Sequence, residues 1–409
     1  MRILFLTPDL PLPADRGAKL RASALIRAAA AHHEVHLLSL AANEEAWEGA
    51  QQPAPGPPSL HELKRLCQRV QIVERPPQRA ALRRAASLFF DPMPDIAHRL
   101  ESHGYRAALW DLLDDERYHV VQIEGLEMMP YLAAVRSARP ESAIVYDAHN
   151  AEMALQRTMF QAELRDPRRW HAGLYSMAQW SKLGSYERIM MNQADVVLAV
   201  SEADASKLRG RHVQPELVPN GVDTAALEYR EPRPETDGTL LFVGPLDYRP
   251  NSDAVGWFAR QVLPRIRAST PARLRVVGAG SERARGEGVD AVGYVEDFGP
   301  ELGRADVMVV PMRMGGGVRF KVLEAMAAGV PVVSTPLGLQ GVAADHERHV
   351  LVARTAEEFA SATVRVLRDR ELAKRLAAAA RRLVVDGYDW ARITPRYLAL
   401  LSRLRRTRR

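Results

Sequence analysis

Residues 315–326, GGGVRFKVLEAM, set three glycines directly ahead of Arg319, Lys321 and Glu324. Such a run suits an anion. Glycines let a backbone approach a ligand closely, and the free N–H groups of a helix start, with the positive end of its dipole, favour negative charge. Two cations on a first helical turn oppose that dipole, at about 0.3–1 kcal/mol for each misplaced charge. A bound phosphate or diphosphate reverses the penalty, and Glu324, one turn further in, then accepts hydrogen bonds from sugar hydroxyls. A plainer reading also fits: Lys321 and Glu324 form an i,i+3 surface pair worth about 0.2–0.5 kcal/mol, and the glycines only make a loop.

Other candidates follow short apolar runs. Gly17 precedes an alanine-rich helical pattern, His149 follows AIVYD (143–147), and Glu124 and Glu127 follow VVQI. A histidine there can donate to a substrate oxygen or move a proton, and it can equally be structural. Glu124 reads either as an acceptor contact or as a cap on the next helix. Arg249, after TLLFVG (239–244), could meet phosphate or sit in a solvated turn. Gly278, a ligand-binding candidate, and Gly280 precede Arg283, where a dinucleotide fingerprint needs a third glycine, so NAD is poorly supported. No Asp-x-Asp triplet, His-Glu-x-x-His motif or cysteine cluster occurs. The expectation is a site that uses no metal and no cofactor, in which cations and a helix end neutralise a leaving group.

Those residues need strands to carry them. Apolar runs at 2–7, 34–40, 70–73, 119–124, 143–147 and 195–200, separated by helical patterns, predict a parallel sheet covered on both faces. A second series, at 239–244, 273–278, 306–311 and 331–335, predicts another. In such sheets ligands bind beyond the carboxyl ends of the strands. The expected division is a Rossmann-like domain over 1–223, a linker over 224–238, a second Rossmann-like domain over 239–387, and a C-terminal helix over 388–409 that packs back on the first. QQPAPGPPS (51–59) reads as a loop.

The 409 residues, 47% hydrophobic, exclude a chain disordered throughout, and Cys67, the single cysteine, excludes an intrachain disulfide. No apolar segment approaches the length of a membrane span, and MRILFLT reads as a strand, so a cytoplasmic setting is expected. The net charge of +6 is uneven: seven Lys/Arg against one acid over 64–84, and five Arg over 403–409. Residues 155–190 mix Arg157, Arg165, Arg168, Arg169 and Lys182 with Trp170, Tyr175, Trp180 and Tyr186. Basic runs are commonly solvated faces, and aromatics at helical spacing are commonly core. An anionic membrane face is the other partner these stretches suit, and no nucleic acid is expected.

Taken with SEAD (201–204), VPNGVD (218–223), LLFVG (240–244), VVGAG (276–280) and VGYVED (292–297), the stretch GGGVRFKVLEAMAAGVPVVSTPLG (315–338) resembles the family 4 glycosyltransferases over nearly the whole chain. The resemblance implies a GT-B fold, with the acceptor bound by the 1–223 domain and the nucleotide sugar by the 239–387 domain, and retaining, metal-independent transfer from that nucleotide sugar to a glycan or lipid-linked acceptor. Cell-surface or exopolysaccharide synthesis at the inner membrane face is the implied setting. Glu324 matches the second glutamate of the family's Glu-x7-Glu motif, which holds the ribose. Arg319 and Lys321, with the amides of Gly316, Gly317 and Val318, match the diphosphate contacts. Val295 lies where the base is met, His149 resembles the histidine that reaches the donor sugar, and Gly17 the glycine of a loop above the diphosphate. Gly316 stands where the first glutamate would, as in a triple-glycine subset of the family. Two rival readings are a related-fold epimerase or phosphorylase and a non-catalytic nucleotide-sugar-binding protein.

Overall fold

The computed structural model describes residues 1–14, 17–41, 58–77, 79–80, 91–164, 170–233, 235–295 and 297–407. Residues 51–57 of the proline-rich loop, 81–84 of the basic stretch, Arg165, Arg168, Arg169, Arg408 and Arg409 lie outside the described residues. So do the side chains of Trp170, Tyr175, Arg405 and Arg406.

The chain divides into two compact units, one of residues 1–219 with 394–409 and the other of residues 220–393. In the first, β1 (Arg2–Thr7), β2 (Glu34–Ala41), β3 (Arg69–Glu74), β4 (Val120–Glu124), β5 (Ala143–Ala148), β6 (Val196–Ala199) and β7 (Glu216–Leu217) form a seven-stranded sheet in the order 3-2-1-4-5-6-7. Every neighbouring pair is parallel. Central strands covered on both faces must be apolar throughout, and β1 and β4 are buried along almost their whole length. The order reverses between β1 and β4, and in sheets of this kind ligands bind beyond the carboxyl ends of the strands at such a reversal.

The second unit repeats the plan with β8 (Thr239–Val243), β9 (Arg273–Val277), β10 (Val289–Gly293), β11 (Val307–Val310), β12 (Val332–Ser334) and β13 (Leu351–Val352), parallel in the order 10-9-8-11-12-13. Gly278 closes the turn after β9. Its φ is +138° and its N–H donates to Gly293 O at 2.8 Å, while a Cβ there would lie 2.5 Å from Gly244 O. The glycine lets two strand ends approach, which is a packing role.

The boundary falls at 219/220 rather than after 223, because the PNGVD segment is tied into the second unit. Val222 N–H donates to Tyr388 O at 2.8 Å, and Val222 O accepts from Trp390 N–H at 3.1 Å. A Cβ on Gly221 would meet Ile393 Cδ1 at 2.6 Å. The segment expected as a linker over 224–238 runs on within this unit: Arg230 N–H donates to Ala328 O at 3.0 Å, and Arg381 donates to Thr224 O and Leu227 O. The helix Trp390–Thr407 is counted with the first unit from Thr394 onward. Tyr397 is fully buried there, and Arg403 pairs with Glu216 at 2.7 Å.

SEAD, the basic stretch and the aromatic-rich segment each contain residues tied into the first unit. SEAD is a helix cap: Ser201 Oγ accepts from Asp204 N–H at 3.1 Å at the start of helix Glu202–Leu208. In the basic stretch Arg69 pairs with Asp115, Arg75 reaches Asp9, and Arg79 pairs with Asp95. Tyr186 is core, and Lys182 donates to Asp91 O at 2.6 Å. No helix among the described residues is long and apolar enough to cross a membrane.

Candidate functional site

In the second unit the glycine loop leaves β11 and enters helix Phe320–Ala328, with Arg319 as its N-cap residue in extended backbone, φ −95° and ψ 100°. Gly315 and Gly317 have φ of +98° and +81°, conformations that side chains rarely adopt. A Cβ on Gly315 would lie 3.3 Å from Pro250 Cβ, so the loop lies close over the start of helix Arg249–Trp257. Thr335 holds the loop from below: its hydroxyl donates to Met312 O at 2.6 Å and accepts from Gly338 N–H at 3.1 Å.

Arg319 is the unusual residue of this group. Its Nε and Nη2 are shielded from solvent and have no hydrogen-bond partner, and burial pulls its pKa down against the opposing influence of Tyr248. A guanidinium left in that state costs free energy until an anion arrives. Glu324 Oε2 is likewise shielded, 3.4 Å from Lys321 Nζ without a well-formed hydrogen bond. Burial pushes its carboxyl up and Lys321 pulls it back. Lys321 Nζ also sits 3.7 Å from the centre of the Phe298 ring. The i,i+3 pair read from the sequence therefore exists, beside a cation that it does not neutralise.

The remaining second-unit candidates lie at strand ends. Arg249 is the half-buried first residue of its helix, and Val295 follows β10 beside the exposed Tyr294. Ser281, missed in the sequence, is fully buried and accepts from Gly293 N–H at 2.7 Å, fixing the turn into Val295.

The first unit holds a separate group. Glu124 ends β4 opposite Asp147 on β5, which sets two carboxylates side by side with no exposure. Like charges so placed repel, and two cations balance them. Arg21, 1% exposed, donates to Asp147 through Nε at 2.7 Å and Nη2 at 2.8 Å, and through Nη1 to Val218 O at 2.7 Å and Pro219 O at 3.3 Å. His149 Nε2 meets Glu124 Oε2 at 2.9 Å, and Gln122 Nε2 donates to Glu124 Oε1 at 2.7 Å. Glu124 is thus a buried support for His149 rather than a carboxylate open to an acceptor, because both its oxygens are engaged. Gly17 is the first residue of helix Gly17–Ala30, which carries Arg21 one turn later.

Glu124, Asp147 and His149 are also the one group among the described residues whose ligand atoms, all within 4.8 Å of one another, could hold a metal ion. The bidentate Arg21 already occupies both oxygens of Asp147, so a cation would have to displace a cation.

Burial pulls the His149 imidazole down, but its bond to Glu124 and the charges of Asp147, Glu124 and Glu127 outweigh it and push the group up to about 9. Burial and Asp147 push the Glu124 carboxyl up, while His149 and Gln122 pull it back. Near neutral pH His149 is accordingly held as an imidazolium against Glu124. A raised folded-state pKa contributes stability that is fully present below the unfolded value, about 6.5 for histidine, and is lost as pH rises through the folded value. The stability advantage of the native protein over His149→Asn is expected to shrink between pH 7 and 10, followed by urea unfolding. An advantage constant over that range would contradict the ion pair.

Compared with known proteins, residues 16–226 match the family described as Glycosyltransferase Family 4, just over half of the chain, and residues 237–369 match the family described as Glycosyl transferases group 1. The chain belongs to glycosyltransferase family 4. This family 4 chain is 29% identical over 241 residues to a glycogen synthase of Mycobacterium tuberculosis, covering 54% of the chain and 57% of that protein. It is 29% identical over 223 residues to a phosphatidyl-myo-inositol mannosyltransferase of Propionibacterium freudenreichii, covering 52% of the chain and 57% of that protein. The chain thus spans little more than half the length of these relatives. Sucrose-phosphate synthase from Thermosynechococcus elongatus has the same fold, with a TM-score of 0.69 at 18% identity over 99% of both chains. The fold is GT-B, two Rossmann-like units with helix Trp390–Thr407 returning to the first.

Proposed function

We propose that the protein transfers a sugar, with retention of anomeric configuration, from a nucleoside diphosphate sugar to a glycan or lipid-linked acceptor. The observation that carries this reading is Arg319 at the start of a helix, its Nε and Nη2 shielded and without a hydrogen-bond partner, followed by Glu324 one turn later. A diphosphate supplies the missing acceptors, and a helix start favours it. Ribose hydroxyls suit Glu324 Oε2. The acceptor oxygen bonds to the anomeric carbon as the bond to the phosphate oxygen breaks, and the acceptor's proton passes to that departing oxygen. Arg319, Lys321 and the loop amides stabilise the charge left on the diphosphate. His149, as an imidazolium, donates to the transferred sugar.

In this reading the protein belongs to the triple-glycine subset, with Gly316 in place of the first glutamate, and works without a bound metal because cations of its own neutralise the leaving group. Two named relatives, a glycogen synthase and a phosphatidyl-myo-inositol mannosyltransferase, fit glycan and lipid-linked acceptors respectively. Cell-surface or exopolysaccharide assembly on the cytoplasmic face of the membrane is the setting this implies. Among the described residues of the basic stretch, Lys64 and Arg65 are exposed and open to an anionic surface.

The test is the unfolding temperature with EDTA present, across UDP, GDP, ADP, TDP, CMP and NAD. A ligand at a hundred times its Kd adds about 2.7 kcal/mol to the state it binds. A selective rise with one nucleoside diphosphate is the expected result. No rise with any of them, or a rise with NAD alone, would remove the donor site.

A further inference from the structure

We propose that Tyr397 and Gln122 are positioning residues that hold His149 in its working orientation through Glu124, so that the C-terminal helix sets the chemistry at the end of β5. The proposal rests on the reading of His149 as a donor to the transferred sugar.

Side chains two residues apart on a strand share a face, so Gln122 and Glu124 point the same way from β4. The Gln122 amide can turn either its NH2 or its oxygen toward Glu124, and only the first donates to the carboxylate. The structure has the NH2 toward Glu124 Oε1 at 2.7 Å, and the amide oxygen accepts from Tyr397 Oη at 2.6 Å. Tyr397 and Gln122 are both fully buried. Burial also pushes the Tyr397 phenol well above its usual range, so it keeps the proton it donates. Flipping the amide would set its carbonyl against the carboxylate and waste the phenol's proton. The tyrosine therefore selects one amide orientation, the amide engages Oε1 of Glu124, and Oε2 is left for His149 Nε2 at 2.9 Å. The groups charged or titratable around His149 are Glu124 on β4, Asp147 on β5, Glu127 on the short helix Leu126–Tyr131, Glu152 at the start of helix Glu152–Leu164, and Arg21, which neutralises Asp147. None of them replaces the hydrogen bond that fixes Glu124 Oε1.

The test uses the full-length protein labelled with 15N-histidine, with the His149 ring signals assigned by His149→Asn. Tyr397→Phe and Gln122→Met are each expected to move the His149 Nε2 resonance and its titration midpoint. Tyr105→Phe removes another buried hydroxyl, which donates to Leu38 O at 2.8 Å, and is expected to leave both unchanged. Superimposable His149 signals in the native protein, Tyr397→Phe and Gln122→Met would overturn the proposal. In sugar transfer, Tyr397→Phe is expected to lower kcat about tenfold, the scale of effect of loosening a positioned group. In a His149→Asn background it is expected to lower kcat no further. Losses that multiply would assign Tyr397 to packing alone. A native protein with no transferase activity toward any nucleotide sugar would overturn the functional reading, and the histidine spectra would still decide the positioning.

Discussion

Replacing Arg319 by methionine is expected to lower kcat about a hundred- to a thousandfold and, at the same time, to raise the unfolding temperature of the unliganded protein. The two effects have one origin. A preorganised donor aimed at developing charge is worth about 2.7–4 kcal/mol in the transition state. In the structure the same guanidinium has shielded Nε and Nη2 atoms without a hydrogen-bond partner, and an unmet buried donor costs about 1–3 kcal/mol, more when charged. Methionine keeps much of the volume and removes that penalty. The nucleotide-induced rise in unfolding temperature should largely disappear in the variant, since the group that distinguishes loaded from empty protein has gone. Calorimetry with and without the nucleoside diphosphate, beside a transfer assay, measures all three quantities. A variant less stable than the native protein, with turnover within a few-fold, would show that Arg319 is structural. Lysine should restore little, because a point charge cannot replace the planar fork of donors.

Lys321, equally prominent in the sequence, is placed to contribute less before a ligand arrives. Its ammonium already has the Phe298 ring and the Glu324 carboxylate as neighbours. The structure thus separates two cations that their spacing had treated alike: the Lys321 ammonium has neighbours that match it, and Arg319 Nε and Nη2 have no hydrogen-bond partner.

That contrast shows what the sequence could and could not display. The glycine loop, Arg319, Lys321 and Glu324 lie within one short stretch, so their grouping was readable from local order alone. The central strands were readable too, because burial on both faces demands an unbroken apolar run. At the sheet edges that demand lapses: β10 is only half-buried along most of its length and β7 and β13 have two residues each, so no run marks them. The first-unit group was hidden for a different reason. Arg21, Gln122, Asp147, His149 and Tyr397 meet only through folding, and each looks ordinary in its own segment. One signal was present, in that Gln122 and Glu124 interrupt an apolar strand at a spacing of two, which places two polar groups on a single buried face. The partner that balances Asp147 had no comparable mark, since an arginine in an alanine-rich helix looks like a solvated surface charge.

Arg21 therefore supports the other large prediction. Arg21→Met is expected to destabilise the protein by about 3–5 kcal/mol, the usual consequence of removing one member of a buried ion pair. Asp147 would be left unexposed beside Glu124 with its two guanidinium bonds gone, and the carbonyls of Val218 and Pro219 would lose their donor. The uncompensated charge of Asp147 acts on His149 as well, now by attraction, because the two carboxylates and the imidazolium occupy one end of β4 and β5. Adding Asp147→Asn to Arg21→Met removes the stranded charge, and the double variant should recover part of the lost stability, a coupling expected for residues in direct contact. Urea unfolding of the four proteins in the cycle measures it. If Arg21→Met and Asp147→Asn added independently, the pair would be two separate packing residues. A coupling of the expected sign would instead identify Arg21 as the counter-ion that lets this fold keep two buried carboxylates under its histidine.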